Sequence, residues 1–319
     1  MKKEYMRIFI ISVINLVCAG VFFGALDSLE LRDKVYNDPT LSVLVGGSFS
    51  ITMAVIALLL YKFLDKKPLH TLGFSFSKTD GLFSVLMSIG ILLFHWLLII
   101  GLEKSGFLTI TYDADYVSAH HYVLILPFFF SWIVAALHEE VSNRAYIYAN
   151  MRHLKIMTML ITSSLLFAVL HVFKGLNLYS FILLFVNGIL FMYLYVRSGN
   201  VWVGTLIHSA MNFSNSFFLN DNPSSKLSLF LLKDIQAAKA VPLLLGFQIA
   251  LPIFIFVMIQ IVYKEANNEF FLYKRAKHLI TRRNPLTYVR GFLLVTLVFV
   301  PSNNESQPND FSHRFYCTN

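Results

Sequence analysis

The sequence predicts an all-α fold, a multi-pass bundle of about eight transmembrane helices with the N- and C-termini both in the cytoplasm. Composition is the first reason, because 56% of the residues are hydrophobic and 14% are charged, whereas a soluble domain has about a quarter charged residues. The second reason is that the apolar residues form long runs, which is typical of membrane-spanning helices. The third is the unequal distribution of Lys and Arg among the segments that join these runs.

Eight apolar runs are long enough, or nearly so, to cross a hydrocarbon layer about 30 Å thick at about 1.5 Å per residue. The predicted spans are 8–26, 41–63, 81–101, 122–143, 156–173, 178–196, 201–219 and 241–263. The fifth and the seventh are among the shortest, and the fourth is expected to continue as a helix to about Met151. The first run, at about nineteen residues, is long for the core of a signal peptide and is interpreted as an uncleaved anchor.

The placement of basic residues predicts the orientation. With the N-terminus in the cytoplasm, 18 of the 26 Lys and Arg residues fall in inner segments and 7 in outer loops, as the positive-inside rule requires. This bias explains the net charge of +8 without a nucleic-acid partner, and the expected partner is the lipid bilayer. The basic cluster between Lys274 and Arg290 is expected to face the anionic inner leaflet.

Two regions are predicted along the chain. Residues 1–263 form the transmembrane bundle, with the candidate functional core at about 122–219. Residues 264–319 form a basic cytoplasmic tail that is expected to be partly disordered, because it is polar after Pro301. The apolar run 291–300 within the tail is too short to span a membrane. Cys18 and Cys317 indicate no disulfide framework.

Three charges interrupt the fourth apolar run. Glu139 and Glu140 are adjacent and Arg144 follows, although an acid or an arginine at the centre of a span costs about 2.5–3.5 kcal/mol on insertion scales. Such groups are expected to face the interior and to pair. Glu140 and Arg144 are spaced i,i+4 on one helix face, whereas Glu139 lies about 100° around the helix. The spacing predicts an ion pair that leaves Glu139 available for chemistry.

Two further polar groups lie in later spans. His171 is in the fifth span, and His208 and Asn212 are spaced i,i+4 on one face of the seventh. Together with the acid pair, these are the groups that activate water and stabilise an oxyanion in a site shielded from solvent. Glu and His are also ligands of divalent metals such as zinc, so both chemistries stay open.

The motifs EEVSNR, FAVLH and HSAMN, in this order on successive helices, resemble those of the CPBP family, the CAAX proteases and bacteriocin-processing enzymes, also called the Abi family. The similarity covers about residues 122–219. Ala145 departs from the glycine that many members have after the arginine. The motif residues are Glu139, Glu140, Arg144, Phe167, His171, His208 and Asn212.

The resemblance implies an intramembrane endopeptidase. Glu139 and His171 would then position a water that attacks the scissile carbonyl, and His208 and Asn212 would stabilise the oxyanion. Glu140 would orient the first group, with Arg144 and Phe167 in support. A divalent metal such as zinc, if the mechanism uses one, would be held by Glu139, His171 and His208; a water activated by glutamate without a metal is the alternative.

The depth of His171 is the point of conflict. In a fifth span that runs to residue 173, His171 lies near the outer end, whereas Glu139 and Asn212 lie nearer the middle of their helices. The mismatch is about 9 Å. A tilted or shifted fifth helix, or a water-filled cavity, would remove it.

The substrate is expected to be a peptide or protein at the membrane, prenylated or of bacteriocin type. Two other functions agree with the same residues: a non-catalytic scaffold or peptide-immunity protein with a structural polar cluster, and a transporter that couples protons through these groups. The expected location is the plasma membrane in a bacterium or the endoplasmic reticulum in a eukaryote.

Overall fold

The protein is a helical membrane bundle in a computed structural model that describes residues 2–111, 119–218 and 231–264. The all-α, multi-pass prediction is confirmed, and the chain is an integral membrane protein. The predicted tail beyond Lys264, with its apolar run 291–300, lies outside the described residues, so its role stays a prediction. The orientation and the boundary between bundle and tail also stay predictions.

The helices occupy the eight predicted positions. In chain order they are α1 (Lys2–Ser28), α2 (Arg32–Asn37), α3 (Pro39–Leu41), α4 (Gly47–Leu59), α5 (Lys78–Lys104), α6 (Ala119–Glu140), α7 (Tyr146–Met151), α8 (Ile156–Val169), α9 (Leu178–Ser198), α10 (Val201–Phe218) and α11 (Ala237–Val262). Wider π-helical turns cover Ser42–Gly46, Leu60–Leu64 and Val141–Ala145, and short 3₁₀ turns cover Leu69–Leu72 and Val172–Lys174. Helix α6, which carries the acids, continues through the π-helical turn into α7, and this helical segment ends at Met151, as predicted.

Six of these helices, within the described residues, are long and apolar enough to cross a membrane. The helices at the fifth and seventh predicted positions are not among these six. Helix α8 has 14 residues and is about 21 Å long, short of a hydrocarbon layer of about 30 Å. Helix α10 is absent from the six because polar side chains such as His208 and Asn212 lower its hydropathy. Most of α10 is buried in the bundle, whereas α8 exposes the apolar side chains of Met157, Ile161 and Leu165.

Helix α9 lies at the centre of the bundle, and every residue from Leu190 to Ser198 is buried. It packs against α8, α10 and α11. The approach to α8 is close, because an added Cβ at Gly188 would lie 2.8 Å from the Cα of Ser164. A small residue at such a crossing lets two backbones touch, which is the usual basis of helix association in membranes.

A buried acid fixes the end of the helix that follows the functional motif. Asp65 pairs with Arg7 at 3.0 Å, accepts a hydrogen bond from Tyr146 at 3.1 Å and another from Asn150 at 3.0 Å. These contacts join α1 and the segment after α4 to α7.

A pair of three-residue strands, β1 (Thr109–Thr111) and β2 (Leu231–Lys233), runs antiparallel with Ile110 opposite Leu232.

Candidate functional site

A change of helical pitch separates the two acids from the arginine. Helix α6 ends at Glu140, and the π-helical turn Val141–Ala145 follows, in which all five residues are buried. One-turn π segments inside α-helices occur frequently at functional sites. Arg144 lies within this wider turn, and its side chain is fully buried in the bundle.

Glu140 and Arg144 form the predicted ion pair. Glu140 Oε2 lies 3.6 Å from Arg144 Nε, and the two side chains are 1% and 0% exposed. The guanidinium carbon also lies 4.1 Å from the ring centre of Phe167 and 5.7 Å from that of Phe191. Aromatic faces stabilise a desolvated cation, so the Phe167 ring lies where it can stabilise Arg144, and its supporting role in the reaction stays a prediction.

His208 contacts both acids, one with each ring nitrogen. Nδ1 lies 2.9 Å from Glu140 Oε1 and Nε2 lies 3.5 Å from Glu139 Oε2. The ring stacks on Phe191, with centres 4.5 Å apart, and Phe167 meets it edge-on at 5.9 Å. These rings leave the imidazole little freedom to rotate, so its orientation is set by packing as well as by Glu140.

His171 also reaches Glu139, which resolves the conflict of depth. Helix α8 ends at Val169, and His171 follows in a turn where its Nε2 lies 3.9 Å from Glu139 Oε1. This contact shows that His171 lies at the depth of Glu139. The fifth helix, which was expected to continue to residue 173, ends before His171.

The hydrogen bonds of the two histidines assign their protons. His171 Nδ1 lies 2.8 Å from the Phe167 carbonyl and His208 Nδ1 lies 2.9 Å from a Glu140 oxygen. A carbonyl and a carboxylate only accept, so each Nδ1 carries a hydrogen. Both Nε2 atoms are turned toward the carboxylate of Glu139.

Glu139 is thus the acid that the Nε2 atoms of both histidines approach. Its side chain is 17% exposed, against 1% for Glu140, and its buried Oε2 has no hydrogen-bond partner among the described residues. A carboxylate and an Nε2 atom without a hydrogen repel each other unless a donor lies between them. The arrangement therefore suits a water molecule or a shared proton.

Glu and His side chains are of the types that bind zinc. Each imidazole turns Nε2 to the site and donates its other N–H to a fixed acceptor, as metal-bound histidines do. However, no group of three or more His, Cys, Asp or Glu side chains within the described ranges is arranged to hold a metal ion. The donor types fit a zinc site and their arrangement does not, so metal binding by Glu139, His171 and His208 stays a prediction.

Asn212 lies one turn after His208 on α10 and is half-buried. Its side-chain amide makes no hydrogen bond with another described residue, Glu139 and His171 included. It shares the helix face of His208, as predicted from the spacing. Its place in an oxyanion site stays a prediction.

Sequence reasoning missed two residues that shape the site. Phe191 of α9 forms the stacking surface of His208. Gly204 lies one turn before His208, and an added Cβ there would lie 2.8 Å from Glu140 Oε2. The i,i+4 spacing of Gly204 and His208 is the signal in the sequence that places the two on one face.

Residues 121–214 match the family described as Rce1-like, type II CAAX prenyl endopeptidase. The predicted resemblance is confirmed over that segment, which contains Glu139, Glu140, His171 and His208. No curated protein and no solved structure matches the chain. The match supports a membrane endopeptidase as the general class. The metalloprotease and bacteriocin-processing assignments stay predictions.

Proposed function

We propose that the chain is an intramembrane endopeptidase in which Glu139 activates a water to hydrolyse a peptide bond. The observation that carries the proposal is the convergence of the Nε2 atoms of His171 and His208 on the Glu139 carboxylate, at 3.9 and 3.5 Å. A water placed among them can donate to Glu139 and to the Nε2 of His171 at once. Its oxygen lone pairs are then directed away from Glu139, toward an incoming carbonyl.

The hydrolytic step follows from this placement. The water oxygen bonds to the carbonyl carbon while Glu139 accepts a proton, and the carbonyl electron pair moves to its oxygen. When the tetrahedral intermediate collapses, the C–N bond breaks and the amine takes the proton that Glu139 holds. His171 orients the water, and the products are a new carboxyl and a new amino terminus. General base catalysis of this kind contributes about 10²–10⁴-fold.

Asn212 and His208 are the residues proposed to stabilise the oxyanion. The amide of Asn212 is a donor without a partner among the described residues, on the same face of α10 as His208. The Nδ1–H of His208 is engaged by Glu140, so His208 can donate to an oxyanion only with a proton on Nε2. Glu140 and Arg144 hold His208 in place from the buried side.

The proposed substrates are membrane-associated peptides or protein tails. A prenylated tail is the first class to test, because the matching family is described by it, and an unmodified hydrophobic precursor of the bacteriocin type is the second. A metal in this site would act as a Lewis acid on the carbonyl. The described side chains are not arranged for one, and the hydrolysis above does not need it.

The test is cleavage of quenched fluorescent peptides, prenylated and unmodified, by protein purified in detergent. Glu139→Gln keeps the size of the side chain and removes the base, so we expect kcat to fall by about 10²–10⁴-fold. Glu30→Gln, which changes an exposed acid, is the matched control and should leave the rate unchanged. Cleavage by Glu139→Gln at the rate of the unmodified protein would rule out the proposed role.

The scaffold alternative makes an opposite prediction. If the polar cluster serves stability alone, Glu140 and Arg144 variants unfold, while Glu139 and Asn212 variants behave as the unmodified protein in every functional assay. A transporter would show uptake that depends on a proton gradient. Unfolding and proton-dependent uptake are measured on the same purified variants.

A further inference from the structure

The turn that carries His171 is covered by the N-terminal helices, which lie outside the matched segment 121–214. This turn, from His171 to Gly175, is called the His171 turn below. The Phe173 ring lies against α1 at Gly20, where an added Cβ would be 3.0 Å from its Cζ atom. Phe173 also packs on a small apolar cluster that includes Phe23 and Val35.

Arg32 binds the backbone of the same turn. Its Nη1 donates to the Phe173 carbonyl at 3.1 Å, and its Nη2 lies 3.4 Å from the Phe23 carbonyl. Asp27 accepts a hydrogen bond from Nη2 at 2.6 Å, and its other oxygen lies 2.5 Å from Nε. Arg32 therefore connects the end of α1 with the backbone of the His171 turn.

The chain around Phe173 transmits this restraint to His171. The Lys174 N–H donates to the His171 carbonyl at 2.9 Å, and the His171 N–H donates to the Ala168 carbonyl at 3.1 Å. Gly175 then takes a left-handed conformation, with φ of 82°. Because α8 ends at Val169, His171 is followed by a single 3₁₀ turn, Val172–Lys174, and the contacts of Phe173 hold that turn in place.

We propose that Arg32 is a positioning residue for His171, and that Gly20 provides the space for the Phe173 ring on which this positioning depends. The inference rests on the proposed function only in that His171 serves hydrolysis. The placement of the His171 turn by Arg32 does not depend on hydrolysis and is measured separately. Arg32 touches no reacting group, so its effect on the reaction passes through the Phe173 carbonyl to His171.

The first measurement is amide hydrogen exchange in the peptide that contains the His171 turn, followed by mass spectrometry of the protein in detergent. Gly20→Leu and Gly24→Leu are a matched pair on α1, because an added Cβ at Gly24 meets nothing within 4 Å. We expect faster exchange in the turn for Gly20→Leu and no change for Gly24→Leu. Arg32→Met should also accelerate exchange there, and Lys34→Met, which removes a charge from the same short helix, should not.

The second measurement is peptide cleavage by the same variants. We expect Arg32→Met to lower kcat by about tenfold with KM unchanged, because a small displacement of a reacting group is costly while substrate binding is not altered. Arg32→Lys keeps a donor for the Phe173 carbonyl and should recover part of the rate. A purely structural role would lower the amount of folded protein and leave kcat per folded molecule intact.

The two measurements separate the possible failures. If Arg32→Met and Gly20→Leu leave exchange in the His171 turn unchanged, the positioning role is overturned, whatever the cleavage assay gives. If exchange rises and kcat of Arg32→Met equals that of the unmodified protein, the role in catalysis is overturned. If Glu139→Gln cleaves normally, the proposed function fails, and the exchange result alone decides whether Arg32 places the turn.

Discussion

The carboxylate of Glu140 fills the space beside Gly204 that a side chain would otherwise occupy. An added Cβ at Gly204 would lie 2.8 Å from Glu140 Oε2 and 3.3 Å from its Cδ. Gly204 precedes His208 by one turn of α10, so the missing side chain lets Glu140 lie along the helix and reach His208 Nδ1 at 2.9 Å. The bond that orients His208 therefore depends on a glycine on its own helix.

Gly204→Ala should remove most of the activity without unfolding the bundle. The new methyl group would push Glu140 away from His208, and a displaced active-site group can cost about 100-fold in rate. The measurement is kcat for peptide cleavage together with thermal unfolding in detergent. Gly90→Ala is the control, since an added Cβ at Gly90 meets nothing within 4 Å. A fully active Gly204→Ala protein would contradict the role given to the Glu140–His208 bond.

The buried pair of Glu140 and Arg144 predicts an asymmetry in stability. Glu140→Gln leaves the cation of Arg144 without its acid in a fully buried position, and breaking such a pair costs about 3–5 kcal/mol. The double variant Glu140→Gln with Arg144→Met removes both charges and should recover much of that loss. It should stay inactive, because His208 loses its carboxylate partner. Unfolding in denaturant and peptide cleavage are measured on all three proteins.

A result in which the double variant is no more stable than Glu140→Gln would contradict this account of the pair. A double variant with normal cleavage would show that Glu140 serves stability alone, as the scaffold alternative requires. The three proteins therefore distinguish a role of Glu140 in catalysis from a role in stability alone.

Asn212 and Asn215 should respond differently although both lie on α10. Asn215 is within 3.1 Å of His95 Nε2, in the buried contact with α5, whereas the Asn212 amide has no such bond in the described part of the chain. Asn212→Ala should lower kcat by about 10²–10³-fold, the usual cost of one oxyanion donor, with unchanged thermal unfolding. Asn215→Ala should lower the unfolding temperature. The reverse pattern would remove Asn212 from the proposed site.

Spacing along single helices was enough to predict much of this site. The i,i+4 relation predicted the pairing of Glu140 with Arg144, and the 100° offset predicted that Glu139 points elsewhere. Both are confirmed, because Glu140 meets Arg144 while Glu139 faces His171 and His208. These relations depend on local geometry, which the sequence determines without knowledge of the neighbouring helices.

Features that depend on packing between helices were not predicted. Helix α8 ends at Val169, two residues before His171, and no Gly or Pro lies within five residues of that end in the sequence. The stacking of Phe191 on His208 and the gap at Gly204 arise from the position of α9 and of α6 against α10. The pairing of β1 with β2, far apart in sequence, is of the same kind.

Removal of divalent metals should leave peptide cleavage unchanged. The described side chains around Glu139 are not arranged as a group of three metal ligands. The contacts of Glu139 with His171 and His208 suit a water that donates to two acceptors. The measurement is cleavage before and after incubation with a strong chelator, with a zinc-dependent peptidase in the same detergent as the control for metal removal. Loss of cleavage that zinc restores would instead assign Glu139, His171 and His208 as metal ligands. Glu139→Gln should be inactive in either case, so the chelator result, and not that variant, distinguishes a water activated by the carboxylate from a water activated by a metal.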